Sequence, residues 1–372
     1  MNLYKKLDRA LDLARKQLTQ QVNSWDKLEK TNNKTLFPFV TRNGKWIWDD
    51  KWSNGFLPGQ LWLLYSIDMN EFWHEYADMF TRAIEYYKNK GDFQDIGYLF
   101  IFSYINGYKE TGEPYYRQVA LEVANNLFES LTPQGYLKCS WLKNGECYQG
   151  IDEFMNIGIW LWAYKETNDN RYKSTVEKCI NKMIDTMISD DGKTCEYVKF
   201  NSNGEVVEIY NKNAESNNSV WSRGHSWAIY GLVQAFLYTD NRSYLEIIDR
   251  LTSFYVDNTG KDGVPYWDLL ITDELEIKDS SAASIAASAF VQLSIGLKEI
   301  NEKQKYYNLA SRLLNILISE KYMTFGQENH EGILIHASTP KKVTFTQGES
   351  QVWGDYFLLE AITSMRRMNY GN

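Results

Sequence analysis

Apolar positions recur at helical spacing over about twelve stretches of this chain, roughly 3–24, 56–67, 70–90, 95–110, 113–131, 152–167, 170–188, 223–238, 241–257, 281–298, 303–319 and 351–367. The stretches alternate in character. Even-numbered ones carry small and aromatic residues on every side, as in Ile157-Gly158-Ile159-Trp160-Leu161-Trp162-Ala163, whereas odd-numbered ones keep a charged face, as from Tyr172 to Met187. A helix that is apolar all round is buried, and one with a single apolar stripe lies on the outside. The joints repeat too: Glu110-Thr111-Gly112-Glu113-Pro114 resembles Glu166-Thr167-Asn168-Asp169-Asn170 and Tyr238-Thr239-Asp240-Asn241-Arg242. Joints this short make antiparallel neighbours. A buried helix followed by an outer one, repeated six times, predicts an all-α toroid of six hairpins with the apolar helices inside. No linker interrupts the series, so residues 1–372 read as one domain.

Alternation also predicts where a site would lie. All inner helices run the same way, so their N-termini open on one rim. Six polar-aromatic clusters sit at those starts: Trp52-Ser53-Asn54-Gly55, Gln94-Asp95-Ile96-Gly97, Ile151-Asp152-Glu153, Trp221-Ser222-Arg223-Gly224, Asp279-Ser280-Ser281 and Gly348-Glu349-Ser350. The longer connections precede inner helices and must cover the same rim, with short strands expected near Glu196–Phe200 and Gly332–His336. Helix N-termini present unpaired N–H groups and a partial positive charge, which biases the rim toward an anionic ligand.

Composition narrows the function classes. Aromatic residues make up 15% of the chain, which is high; most serve as large core side chains, and aromatic faces are also common in sugar sites. The net charge is −8 with no basic run, which argues against nucleic acid. No stretch reaches the ~20 apolar residues of a membrane span. The start, Met1-Asn2-Leu3-Tyr4-Lys5-Lys6, has no apolar leader core, and the four cysteines (139, 147, 179 and 195) lack metal-ligand spacing. Cys139 and Cys147 could bridge a loop, but reduced thiols in a cytoplasmic protein are the expectation. Neither a metal cluster nor a phosphate loop appears, so no cofactor is expected.

On the rim, Asp95 and Asp152 are the acid–base candidates, each opening an inner helix in adjacent hairpins. Both could equally be N-caps, a common role for Asp. Arg223 lies between Trp221 and Trp227, where its fork would match a carboxylate bidentately and the indoles would face a sugar. His225 and His336 fall on the rim, while His74 lies on an outer helix.

With these segments in view, the chain resembles glycoside hydrolase family 88, the unsaturated glucuronyl hydrolases. The resemblance runs from about 50 to 367 and rests on Trp52 to Tyr65, Asp95 to Tyr98, Asp152 to Asn156, Trp221 to Trp227, Asp279 to Ala287 and Glu349 to Tyr356, in family order. It implies an (α/α)6 barrel that hydrates the C4=C5 bond of the Δ4,5-unsaturated uronic acid left by polysaccharide lyases. It further implies that Asp152 is the general acid/base, that Asp95 supports it, and that Arg223, Trp221, Trp227 and His336 contact substrate. Trp52 and Trp141 would stack on sugars; Gln94, Asn213 and His225 complete the expected contacts. Ser338 and Lys341, in the connection after His336, are candidates for a sulfate. Gln94, Glu153, Asn217-Asn218, His225 and Cys195-Glu196 depart from the family pattern and bear on substrate preference and activity. The expected partner is an unsaturated uronate oligosaccharide, sulfated or not, met by a monomer or homodimer. An unsaturated rhamnogalacturonyl hydrolase acting on pectin fragments and a non-catalytic uronate binder are the competing readings.

Overall fold

The computed structural model describes residues 2–25, 35–90, 95–132, 134–137, 147–272, 277–338 and 348–370. Within them it has 12 helices, close to the stretches read from periodicity. The outer set comprises α1 (Leu3–Trp25), α3 (Glu71–Ala83), α5 (Pro114–Asn126), α7 (Asn170–Met187), α9 (Arg242–Asn258) and α11 (Ile300–Leu317). The inner set comprises α2 (Phe56–Asp68), α4, α6, α8 (Ser222–Thr239), α10 (Ser280–Gly296) and α12 (Val352–Tyr370). Two inner helices are composite. The first, α4, runs as Ile96–Phe100, a π-helical turn Ile101–Ile105 and Asn106–Thr111; the second, α6, runs as Glu153–Asn156 and Gly158–Thr167.

The repeated joints become a repeated turn. α2, α4, α6 and α8 each end on a left-handed residue, respectively Met69, Gly112, Asn168 and Asp240, which stops the helix and frees its carbonyls for a C-cap. The next outer helix then starts on an Asx cap in three of these joints: Asn70, Asp169 and Asn241 accept from the backbone N–H two residues on. Each inner helix packs on its inner neighbours, and α12 packs back on α2 and on α1, so the ring closes.

Glycine sets the spacing inside the ring. A Cβ on Gly231 of α8 would lie 2.1 Å from Phe154 O of α6, so only glycine lets these helices approach so closely.

The rim connections hold five strands among the described residues. β1 (Phe37–Arg42) and β2 (Lys45–Asp49) form a hairpin, while β3 (Cys147–Gly150), β4 (Tyr197–Phe200) and β5 (Val206–Tyr210) form an antiparallel sheet in that order. Glu349 pins the hairpin, accepting from Thr41 Oγ1 at 2.5 Å and from Asn43 N at 2.7 Å. The strand expected at 196–200 is β4. At 332–336 the expected strand shrinks to one antiparallel bridge, Leu334 with Met323, flanked by Ile335 N donating to Tyr322 O at 2.8 Å; on its other edge Ile333 N and Leu334 N donate to the Asp355 carboxylate (2.9 and 2.8 Å). Among the described residues no helix is long and apolar enough to cross a membrane.

Candidate active site at the N-terminal rim

Two helix starts meet at Gly97. A Cβ there would lie 2.4 Å from Asn156 O, and Gly97 N donates to Asn156 Oδ1 at 2.9 Å. This close approach sets the N-termini of α4 and α6 side by side, with Asp95 and Asp152 as the residues just before each helix. Neither carboxylate caps its helix. Capping needs an extended Ncap backbone, but Asp152 is already helical (φ −62°, ψ −19°) and Asp95 sits at φ −96°, ψ 15°. Asp279, at φ −117°, ψ 88°, does cap: its Oδ1 accepts from Ser281 N at 3.0 Å and Ala282 N at 3.3 Å. Of three similar-looking aspartates, one is therefore a cap and two are turned into the barrel mouth.

They line a cavity of about 210 Å³ together with Trp52, Tyr98, Asn213, Trp221, Arg223 and Trp227. The three-stranded sheet delivers two of these residues. β3 runs directly into the Asp152 turn, where Ile151 N donates to Glu196 O at 2.8 Å, and Asn213 follows β5. Arg223 supplies the positive charge. Its guanidinium is sandwiched between Trp221 (4.8 Å to the ring centroid) and Trp353 (5.1 Å). Its Nη1 donates to Ser338 O at 2.7 Å and Gln351 Oε1 at 3.2 Å, and lies 3.9 Å from Asp279 Oδ2. These contacts fix the plane of the fork, and Arg223 lines the cavity.

Burial governs the ionisation of this mouth. It pushes Asp152 up to about 6, with Arg223 opposing, and Asp95 up to about 7, where the Asp152 charge adds and the Tyr98 hydrogen bond opposes. The two titrate as a pair, so near neutral pH the pair retains a proton. Glu153, which is buried, is raised well above the usual range by burial and then by the Asp95 and Asp152 charges. Burial raises Glu196 to about 7 against its hydrogen bond from Asn213 N.

Seven expected site residues converge on the cavity: Asp95, Asp152, Arg223, Trp221, Trp227, Trp52 and Asn213. Three do not. His225 is fully buried, with Nε2 3.0 Å from Leu251 O and Nδ1 3.2 Å from Thr194 Oγ1, so it packs α8 against α9 and cannot reach a ligand. Burial lowers it to about 4, which leaves it neutral. His336 stands at φ +64° with its ring edge-on to Tyr322 (5.9 Å), outside the cavity lining. Ser338 is 1% exposed and outside the cavity lining, with its carbonyl accepting from Arg223 Nη1. Gln94, Trp141, Lys341 and Cys139 lie outside the described residues. Sequence reading passed over Tyr98, Trp353 and Glu196 as site residues. Tyr98 could have been found from its place one turn after Asp95, whereas Trp353 looks like any core tryptophan. Among the described residues, no group of His, Cys, Asp and Glu is arranged to hold a metal ion.

The profile of Glycosyl Hydrolase Family 88 matches residues 18–369, nearly the whole chain. The chain belongs to that family. An unsaturated glucuronyl hydrolase of Formosa agariphila is 30% identical over 322 residues, 84% of this chain and 79% of the relative. An unsaturated chondroitin disaccharide hydrolase of Streptococcus pyogenes is 27% identical over 370 residues, 96% of this chain and 90% of its own. A crystal structure of an unsaturated glucuronyl hydrolase specific for heparin superposes with a TM-score of 0.90 at 24% identity, covering 98% of both chains. At that identity the superposition speaks for the (α/α)6 barrel. A Streptococcus agalactiae relative has been solved complexed with dGlcA-GalNAc6S, a sulfated disaccharide. The family 88 member described here is thus a glycoside hydrolase of the unsaturated glucuronyl hydrolase family.

Proposed function

We propose that this family 88 hydrolase acts, as one catalytic domain, on the unsaturated disaccharides and short oligosaccharides that lyases release from glycosaminoglycans. One observation carries the reading: two uncapped, half-buried aspartates share a cavity with a guanidinium held rigidly between indoles. A cavity built for a displacement at the anomeric carbon would need its carboxyls on opposite faces of that carbon. Here both carboxyls open adjacent helices on one side, with the cation on α8 next to them. That arrangement suits protonation of a double bond conjugated to a carboxylate.

In the proposed reaction Arg223 binds the uronate carboxylate, which sets the C4=C5 bond against Asp152. The Asp152 carboxyl gives its proton to C4, and the π electrons form that C–H bond. Positive charge develops over C5 and the ring oxygen. Water adds its oxygen to C5 and returns a proton to the Asp152 carboxylate. The resulting hemiketal opens to a C5 ketone, leaving C1 with a hydroxyl beside the glycosidic oxygen. That hemiacetal collapses to an aldehyde and releases the next sugar with a free hydroxyl. Asp95, hydrogen-bonded by Tyr98, shares the pair's proton with Asp152 and accepts from ring hydroxyls. Trp52, Trp221 and Trp227 exclude bulk water and offer faces to the ring.

The test is a panel of unsaturated chondroitin, hyaluronan and heparin disaccharides, sulfated and not, beside unsaturated rhamnogalacturonan fragments. Loss of the enoate absorbance with the glycosaminoglycan products is the expected outcome. Turnover of the pectin fragments alone would replace the substrate assignment, and calorimetric binding without absorbance loss would replace catalysis by binding.

A further inference from the structure

Behind Asn213 the cavity wall holds a carboxylate that the reaction above does not use. Glu196 is 1% exposed, and its two oxygens clamp one residue: Oε2 accepts from Asn213 N at 2.6 Å, and Oε1 from Asn213 Nδ2 at 2.5 Å. The clamp is itself fixed. Glu196 N donates to Asn211 Oδ1 at 2.6 Å, and Asn211 Nδ2 donates to Asn217 O and Ser219 O, both at 3.0 Å. An ionised carboxylate only accepts hydrogen bonds, whereas an amide has a donating and an accepting end. Glu196 therefore dictates which way round the Asn213 amide sits. Its NH2 is committed inward, and its Oδ1 receives no hydrogen bond from a described residue, although Asn213 lines the cavity.

We infer that Glu196 is a positioning residue that sets the polarity of this wall. By turning Asn213 Oδ1 toward the saccharide, it makes the wall accept from a sugar hydroxyl or amide N–H and disfavour a sulfate ester there. A sulfate brings only acceptor oxygens, so against Oδ1 it loses its own water and gains no donor. The inference rests on the substrate class proposed above and adds which substituent this chain selects against.

Glu196→Gln tests it with almost no change of shape. Asn213 N still needs an acceptor, so the carbonyl of the substituted side chain keeps that place and its NH2 faces the Asn213 side chain. The Asn213 amide must then turn over and show its own NH2 to the cavity. At about pH 8, where parent Glu196 is ionised, the ratio of kcat/KM for sulfated over unsulfated unsaturated disaccharides is expected to rise about tenfold or more in Glu196→Gln. The panel carries the sulfate on the uronate or on the hexosamine, and the position whose ratio moves identifies the sugar against Asn213. Asn213→Ala, the second variant, removes the acceptor without touching Glu196 and should shift the same ratio in the same direction. In that background Glu196→Gln should shift it no further. If Glu196→Gln slows all substrates alike and leaves every ratio within about twofold of the parent, Glu196 is merely structural and the inference is wrong. Should the parent turn over no disaccharide, the proposed reaction fails separately, and the same ratios read as dissociation constants by calorimetry still decide the polarity of the wall.

Discussion

The two ends of the barrel lumen both bury carboxylates, and they treat them in opposite ways. Toward the C-terminal ends of the inner helices, Glu360 of α12 accepts from Tyr230 OH (3.2 and 3.1 Å to its two oxygens), Tyr356 OH (3.0 Å), Ser288 Oγ (2.5 Å) and Gln292 Nε2 (3.1 Å). At the N-terminal rim, Asp95, Asp152 and Glu153 repel one another, with Tyr98 a donor to Asp95 and Asn156 Nδ2 at 3.3 Å from Glu153. Glu153 Oε1 has no partner among the described residues. Burial raises the pKa at both ends. What differs is the supply of donors. A fully satisfied polar cluster rigidifies a core, whereas carboxyls short of donors are left with protons that can be exchanged. One end of the tube is scaffold and the other is available for chemistry.

The sharpest way to break this contrast is a crossed pair of variants. Asp152→Asn should lower kcat about a thousandfold while leaving thermal stability equal or improved, because it removes like-charge repulsion. Glu360→Leu should do the reverse. It strands the hydroxyls of Tyr230 and Tyr356 and should cost on the order of 2–3 kcal/mol, with kcat/KM of the surviving folded enzyme within about threefold of the parent. Denaturant melts and absorbance assays on both proteins decide. If Asp152→Asn turned over substrate at the parent rate, the acid assignment would be lost.

Next in size is Gly97→Ala. The added methyl would meet Asn156 O at 2.4 Å, so α4 and α6 must part and carry Asp95 away from Asp152. A displacement of this order in an active site costs about a hundredfold in rate, well beyond the loss of stability expected from overpacking, ~1–3 kcal/mol. A kcat that survives while the melting temperature falls would mean that the spacing of the two aspartates is not what matters.

The pair's ionisation gives a smaller, pH-dependent effect. Both carboxyls are raised above the ordinary aspartate value, so the folded protein holds protons that the unfolded chain has released. The stability this contributes is complete below about pH 4 and is lost as pH rises through about 6 and about 7. The melting temperature should therefore slope downward across that window, and Asp95→Asn should flatten the slope. Because Asp152 must carry a proton to act, kcat should fall on the same alkaline side. Removing the neighbouring charge in Asp95→Asn should move that limb to lower pH. A limb that stays in place would uncouple the two aspartates.

Much of this contrast was legible in the chain's residue pattern. The twelve helices followed from a 3.6-residue period that only burial on one or all sides can impose, and alternation alone put the six clusters on one rim. The separation of caps from chemistry was not legible. Asp95, Asp152 and Asp279 all precede an inner helix, and what divides them is a backbone angle set by neighbours far away in sequence, such as Asn156 against Gly97. His225 misled for a related reason. It follows Arg223 by two residues, and on a helix that spacing points it to the opposite side, toward Leu251 and not toward the cavity. The short strands β1, β2, β3 and β5 carry no clean alternation of buried and exposed positions: β1 buries Phe37, Pro38, Val40 and Thr41, whereas β5 is exposed from Val206 to Ile209.

The smallest expected effect is also the most diagnostic of what the rim carboxyls are. Glu153 sits beside Asp152 where the family pattern differs, and a third negative charge there would be ruinous to a pair that must share a proton. If burial and its neighbours hold it neutral, then Glu153→Gln exchanges one uncharged group for another of the same shape. Its hydrogen bond can be kept if the Asn156 amide meets the substituted side chain's carbonyl. Both kcat and the position of the alkaline limb should stay within about twofold and a few tenths of a pH unit of the parent. A limb moved to lower pH would instead reveal that Glu153 is ionised in the working enzyme. Its charge would then belong with those of Asp95 and Asp152 in setting the proton's affinity.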